Sequence, residues 1–492
     1  MLSTRQLPAL LGAFALVALA AAAWPFTIDD AYIVVRYADR LAHGHGYTFS
    51  GELPTDGVTG PLWLLPLVIA SFLGLDPLTA AKTCSLAAGV VAGLCVFARV
   101  RGLAHGLRAA WFAVLVLCSS LPFIVWSVAG LETGLASACA TALALSVTRR
   151  PHPNGVLAGA SLLALAWLRP ELLAFGAWLA LALALRPGAR RATLWLTLLA
   201  LLGLVSVLGF RYLSFGHWLP MSASAKPALI GNGLAYLGAT FAQPRVWVLL
   251  PLLCVALFRG GRSARTLVLA LVVHAAAVVL VGGDWMPGRR LFAPLIPVLA
   301  LALALGLRPL LLARPRLVWS ACGLLLLVSA LELFPELRAV RAAALTQRQR
   351  APALAALVCR AKGPVAVVDL GVLGALCPAQ TFIDLGGLTE PALAYARGAH
   401  LDKHVDAAWL RARAPGLVVL HSRDAPRVDR ERRLRWFAGY PVERRVLSTA
   451  LMRDFRVQHV FAYAPRYFYV LLSPRESASV APQALPRGQN AP

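Results

Sequence analysis

Between Leu7 and Phe334 the chain returns again and again to apolar runs, with short arginine-bearing breaks between them. Many approach the length a helix needs to cross about 30 Å of hydrocarbon. Inside lipid each backbone N–H and C=O must be satisfied without water, so such runs fold as helices. The class this dictates is a multi-span α-helical membrane protein. Composition agrees: 59% of residues are hydrophobic and 14% charged, far from the usage of soluble domains. The net charge of +25 does not point to nucleic acid. The arginines sit in short clusters between apolar runs, as the positive-inside rule produces, and lack the aromatic interleaving of nucleic-acid modules.

Those clusters orient the chain. Arg5, Arg99–Arg108, Arg149–Arg150, Arg186–Arg191, Arg259–Arg265 and Arg308–Arg316 all fall in the cytoplasm on one condition. Pro61–Leu75 must lie in the outer interface as a short Pro-interrupted helix rather than span. About eleven spans result, at 7–24, 79–98, 109–127, 133–148, 155–169, 171–185, 192–210, 245–258, 265–281, 291–308 and 317–334. The first run ends in Ala20–Ala23, as a signal-peptidase site can, but its length suits an uncleaved span.

With arginines alone setting this topology, the remaining polar segments all land outside. They are Asp29-Asp30, Gly130-Leu131-Glu132-Thr133, Arg169-Pro170-Glu171, the loop 211–244 with His217 and Lys226, and Gly282–Arg290 with Asp284 and Trp285. Ionisable residues beside a membrane mark functional sites, and their convergence points to a single external one. Asp29 and Asp30 open an amphipathic helix: Ile33, Val34, Tyr37, Ala38 and Leu41 share one face, Arg36, Asp39, Arg40 and His43 the other. The helix dipole favours ionised carboxylates there. The pair suits general-base work; simple helix capping is the plainer reading. Lys226 follows small residues and can approach a ligand, or can merely snorkel. Arg289-Arg290 suit phosphate recognition by their forked geometry, or anchoring at headgroups. Around these, Arg36, His45, Glu132, Arg169, His217, Asp284 and Trp285 are candidates to touch substrate or support the residues that do. Asp284 can equally pair with the arginines, and Arg169 with Glu171. His45 and His217 read by default as exposed loop histidines.

No dinucleotide or Walker A glycine motif occurs, which leaves a nucleotide-sugar site unsupported. No CxxC or HExxH spacing suggests a metal, although adjacent aspartates can bind one. Six of the eight cysteines lie in apolar runs; Cys359 and Cys377 lie beyond them and can form a disulfide. After Phe334 the composition changes. Residues 335–362 read as a helix leaving the membrane. Strand-like runs follow at 364–369, 381–385, 417–421, 459–463 and 467–473. Residues 335–473 form a small external α/β domain, and 474–492 a disordered tail.

The motifs DDAYIVVRYADRLAHGHGYTF, GVTGPLWLL, GLETGL, WLRPELLAF, HWLPMSASAKP, VGGDWMPGRRLFAPLIPVL and IDLGGLTEP occur in that order. In this the chain resembles the terminal β-(1→2)-arabinofuranosyltransferase family, with which a flagellar motor control protein is grouped. The resemblance covers 27–300 and touches 381–391. It implies a GT-C fold with juxtamembrane helices in the first external loop. It also implies a polyprenyl-phosphate sugar as donor with no further cofactor, and a glycan or glycolipid acceptor. The location implied is the outer face of a bacterial inner membrane. By position Asp29 and Asp30 match the family's catalytic acidic pair, Lys226 its external lysine, and Arg289 its GGD segment. Arg290 stands beside Arg289 as a second donor-phosphate candidate. The chain has GVTGPLW where the family has GYTNPLW, and Pro220-Met221-Ser222 where it has PNT, so sugar and acceptor stay open. Two rival readings remain: a flippase for lipid-linked saccharide, and a non-catalytic envelope or flagellar assembly protein.

Overall fold

The structure is a computed structural model that describes residues 7–103, 106–149, 152–286 and 288–475. Arg5 and Arg150 of the charge pattern, Pro287, and residues 476–492 of the expected tail lie outside the described residues. The chain divides into two compact units, Met1–Leu345 and Thr346–Pro492.

The first unit is helical. Among the described residues, four helices are long and apolar enough to cross a membrane: Pro77–Arg101, Arg190–Phe215, Arg262–Leu280 and Pro315–Val358. A fifth results if Ile230–Phe241 and Pro244–Arg259, bent by 89°, count as one span. The remaining apolar helices have 10–17 residues. Several of the eleven expected runs are thus shorter helices, and the reason is local. The run expected at 109–127 breaks at Ser119-Ser120, where Gly106–Cys118 ends and Leu121–Trp126 begins with Pro122 in its first turn. The runs expected at 171–185 and 291–308 open as 3-10 turns, Pro170–Leu172 and Arg290–Leu295. Short helices still close one core, in which Phe112, Phe123, Leu143, Leu165, Phe175 and Leu301 are buried together.

Three further segments bear on the expectations. Pro61–Trp63 and Leu64–Phe72 form a 3-10 turn and a helix of nine residues, too short to span. Ser71 Oγ there donates to Asp39 Oδ1 at 2.8 Å, fastening this element to Asp29–Ala42. The stretch 211–244 is not a plain loop: it holds the helices Met221–Ala225 and Ile230–Phe241. Finally, 317–334 and 335–362 do not separate at Pro335. One helix of 44 residues, Pro315–Val358, runs through it, as membrane helices tolerate when neighbouring groups satisfy the freed backbone.

Among the described residues the second unit holds seven strands: β1 (Val365–Val367), β2 (Phe382–Asp384), β3 (Leu417–Ser422), β4 (Arg427–Val428), β5 (Leu434–Trp436), β6 (Phe455–Ala464) and β7 (Tyr467–Pro474). Five form a sheet in the order β2-β1-β3-β7-β6, parallel among the first three and antiparallel thereafter. β4 and β5 make a separate hairpin that the sequence pattern did not reveal. The motif IDLGGLTEP ends β2 and turns on Asp384, whose carboxylate accepts from the amides of Gly386, Gly387 and Thr389 at 2.7–3.1 Å. Its role here is to fold the turn.

Cys359 and Cys377 are joined by a disulfide across 18 residues. A closed loop of this length contributes about 3 kcal/mol through the unfolded chain. Reduction is expected to expose two alkylatable thiols and lower the thermal midpoint of the second unit. Free thiols at both positions in exported protein would contradict the bond.

Candidate active site

The helix Asp29–Ala42 begins after Ile28 in extended conformation, with both aspartates in its first turn and half-buried. Its start is seated on the turn before Glu132. The Ile28 amide donates to Ala129 O at 3.3 Å, and Trp63 Nε1 donates to Gly130 O at 3.4 Å. Gly130 has φ +93°, and a Cβ there would stand 2.8 Å from that of Ala31. Only glycine meets both demands. Asp29 is engaged by a neighbouring group, while Asp30 has no hydrogen-bond or ion-pair partner among the described residues.

Beside this turn lies a buried charge network drawn from segments far apart in sequence. Arg169 Nε meets Glu132 Oε1 at 2.6 Å and its Nη1 meets Glu171 Oε1 at 3.0 Å. All three are nearly enclosed, Arg169 being 4% exposed. Asp284 pairs with Arg290 at 2.8 Å. The Arg290 guanidinium lies 5.7 Å from the centre of the Trp126 ring, whose Nε1 donates to Gly288 O at 3.1 Å. Trp126 also meets Phe26 edge-on, with ring centres 6.2 Å apart. One indole thus links the residue three before Asp29 to the GGD segment. His274, fully buried, binds Leu291 O through Nε2 at 2.9 Å. The four separate turns read from sequence are one cluster.

The three cations assigned together to a phosphate have different aromatic neighbours. Arg289 takes the left-handed φ of +53°. It donates to Ala239 O at 2.8 Å and lies 5.3 Å from the Tyr236 ring centre. It also lines a cavity of about 350 Å³. The cavity's lining combines polar Ser119, Ser120, Gln243, Arg245 and His274 with aliphatic Leu249, Leu253, Leu271 and Leu299. Lys226 stands 6.0 Å from the Trp285 ring centre.

Other candidates move further. Arg36, placed by periodicity on the polar face, is 5% exposed. The chain after the helix folds back over it: Arg36 Nε donates to Phe49 O at 2.7 Å, and its guanidinium lies 4.7 Å from the Phe49 ring centre. Burial lowers its pKa to about 10. It braces the loop. His45 is exposed. His217 is not a plain exposed histidine, for its Nε2 lies 3.8 Å from Asp56 Oδ2.

Asp56 escaped the sequence reading. It is fully buried and ion-paired with buried Arg211, whose Nη2 also donates to Thr59 O at 2.6 Å. Thr59 and Ser222 hydroxyls meet at 2.8 Å. Burial pushes the Asp56 carboxyl up, while Arg211, His217 and the Met221 amide pull it down. The group ties the first loop to the segment carrying Lys226. The overlooked signal is Arg211 itself, a cation at the end of a long helix assigned to the outer side. Arg245 was also missed; its Nε stands 3.5 Å from Glu332. Among the described residues no three His, Cys, Asp or Glu side chains gather as metal ligands do.

No family model matches the sequence. Over 333 residues the chain is 29% identical to the terminal beta-(1->2)-arabinofuranosyltransferase of Corynebacterium glutamicum, a match covering 55% of this chain and 46% of that protein. The chain thus spans about half the length of this curated relative. Among solved structures it is similar to ArnT of Cupriavidus metallidurans, crystallised with undecaprenyl phosphate. The TM-score is 0.57 at 12% identity, covering 98% of this chain and 100% of that one. The chain has the GT-C fold of a multi-pass helical membrane protein.

Proposed function

We propose that this GT-C chain transfers a sugar from a polyprenyl-phosphate donor to a cell-envelope glycan or glycolipid, on the outer face of a bacterial inner membrane. The observation that carries the reading is the cavity: an aliphatic lining suited to an isoprenoid tail, with Arg289 and Arg245 among the residues that line it. The relative's name makes arabinofuranose the first sugar to test. Lipid-linked donors suit the fold neighbour's bound undecaprenyl phosphate.

Asp30 is the base in this scheme, being the unengaged member of the pair. Its carboxylate takes the proton of an acceptor hydroxyl as that oxygen bonds to the anomeric carbon. The bond from that carbon to the phosphate oxygen breaks, and the lipid phosphate leaves with the electron pair. Fixed positive charge in the cavity's lining stabilises it. Because one carboxylate acts and no glycosyl-enzyme forms, configuration inverts, as in single-displacement hydrolysis.

The test is transfer from a synthetic polyprenyl-phosphate sugar by purified protein in detergent, which a flippase or assembly factor cannot perform. Arg289→Gln is expected to raise the donor KM about tenfold or more, the worth of a charge-assisted hydrogen bond, with the acceptor KM unchanged. Arg289→Lys should recover part of the loss. An unaltered donor KM in the glutamine variant would remove Arg289 from the phosphate site.

A further inference from the structure

The second unit carries a strongly cationic pocket of about 440 Å³, lined by Glu431, Arg432, Arg433, Arg456, Gln458 and Arg475. Two irregularities of the backbone build it. Arg432, at the tip of the β4–β5 hairpin, holds a left-handed φ of +59°, which a side chain other than glycine adopts only when its surroundings impose it. Its carbonyl accepts from the Val457 amide at 2.8 Å, binding the hairpin tip to β6. The register of β6 against β7 then slips between Val457 and His459, leaving Gln458 as the extra residue of a bulge. Bulges of this kind re-aim a side chain beside functional sites.

Four guanidiniums line this pocket, and among the described residues three of them have no carboxylate partner. Glu431 pairs with Arg433 at 3.1 Å. Arg456 is steadied by the carbonyls of Arg453 and Phe455 at 2.7 and 2.9 Å, which leaves its charge uncompensated. Arg432 and Arg475 have no ion-pair partner among the described residues. Like charges gathered in a concavity repel one another until an anion enters. Planar forks are the geometry that receives carboxylate or phosphate bidentately. A concave site with one amide and one carboxylate beside the arginines suits an acidic sugar, whose hydroxyls Gln458 and Glu431 can meet.

We propose that this pocket binds an acidic saccharide, bearing carboxylate or phosphate, of the glycan that the protein extends. The proposal rests on the glycosyltransferase reading for the word "extends" but not for binding. The two can therefore fail separately.

The experiment uses the full chain in neutral detergent, with fluorescent oligogalacturonate and a dextran of matched length as probes. Oligogalacturonate should bind about tenfold more tightly than dextran, and Arg432→Gln with Arg475→Gln should abolish the difference. Only side chains change, so the hairpin's backbone tie to Val457 is kept. Sugar transfer to a short uncharged acceptor should stay at the parent rate. Absence of transfer in parent and variant alike, with the binding preference intact, would overturn the enzyme reading and support the pocket. Equal affinity for the two probes, or a preference surviving in the double variant, would overturn the pocket. So would loss of binding to phosphatidylglycerol vesicles alone, which would make it a lipid-headgroup site.

Discussion

Asp30→Asn is expected to lower turnover by about 10²–10⁴, the usual contribution of a positioned general base. Substrate KM values should change little, since the amide keeps the size of the carboxylate and only its basicity is lost. Asp29→Asn should cost less, because Asp29 already engages a neighbour and can act on the acceptor only by orienting it. Steady-state transfer by each variant in detergent, with folding checked by gel filtration, gives the comparison. Parent-rate transfer by the Asp30→Asn variant would end the proposed mechanism.

Arg169→Met should be the most destabilising single change in the helical unit. It leaves Glu132 and Glu171 facing each other without their shared cation, in a place where Arg169 is 4% exposed. Breaking a buried pair from one side costs about 3–5 kcal/mol, because the remaining charge is stranded away from water. A triple variant, Arg169→Met with Glu132→Gln and Glu171→Gln, should regain much of the loss, since no charge is left buried. Thermal midpoints of the detergent-solubilised proteins distinguish the cases. An unchanged midpoint in the single variant would mean that water reaches the network.

Much of the site was legible because lipid makes charge conspicuous. Asp29, Asp30, Glu132, Arg169, Glu171, Asp284 and Arg290 each interrupt apolar sequence, and arginine asymmetry put them on one side before any fold was known. What stayed hidden depends on contacts that periodicity does not carry. Arg36 is on the polar face of its helix by spacing, yet Phe49 covers it after a turn that the two glycines permit. Asp56 and Arg211 are 155 residues apart, and the sequence does not pair them. Arg289 and Arg290 are neighbours in sequence with different partners, and Arg289 takes a left-handed backbone angle more often adopted by glycine. The five-stranded sheet was visible in its apolar runs. The β4–β5 hairpin was not, since strands of two and three residues with half-buried or exposed side chains show no alternation.

The 89° bend between Ile230–Phe241 and Pro244–Arg259 has a kinetic consequence. The cavity beneath it is rimmed by exposed Phe241, Cys254 and Val272, so its flank is open where fatty chains would lie. On the proposed reading, a donor tail would slide in sideways from the surrounding leaflet, and reaction velocity would follow the mole fraction of donor within the micelle or bilayer. Adding inert lipid at constant bulk amounts should slow the protein as though substrate had been withdrawn.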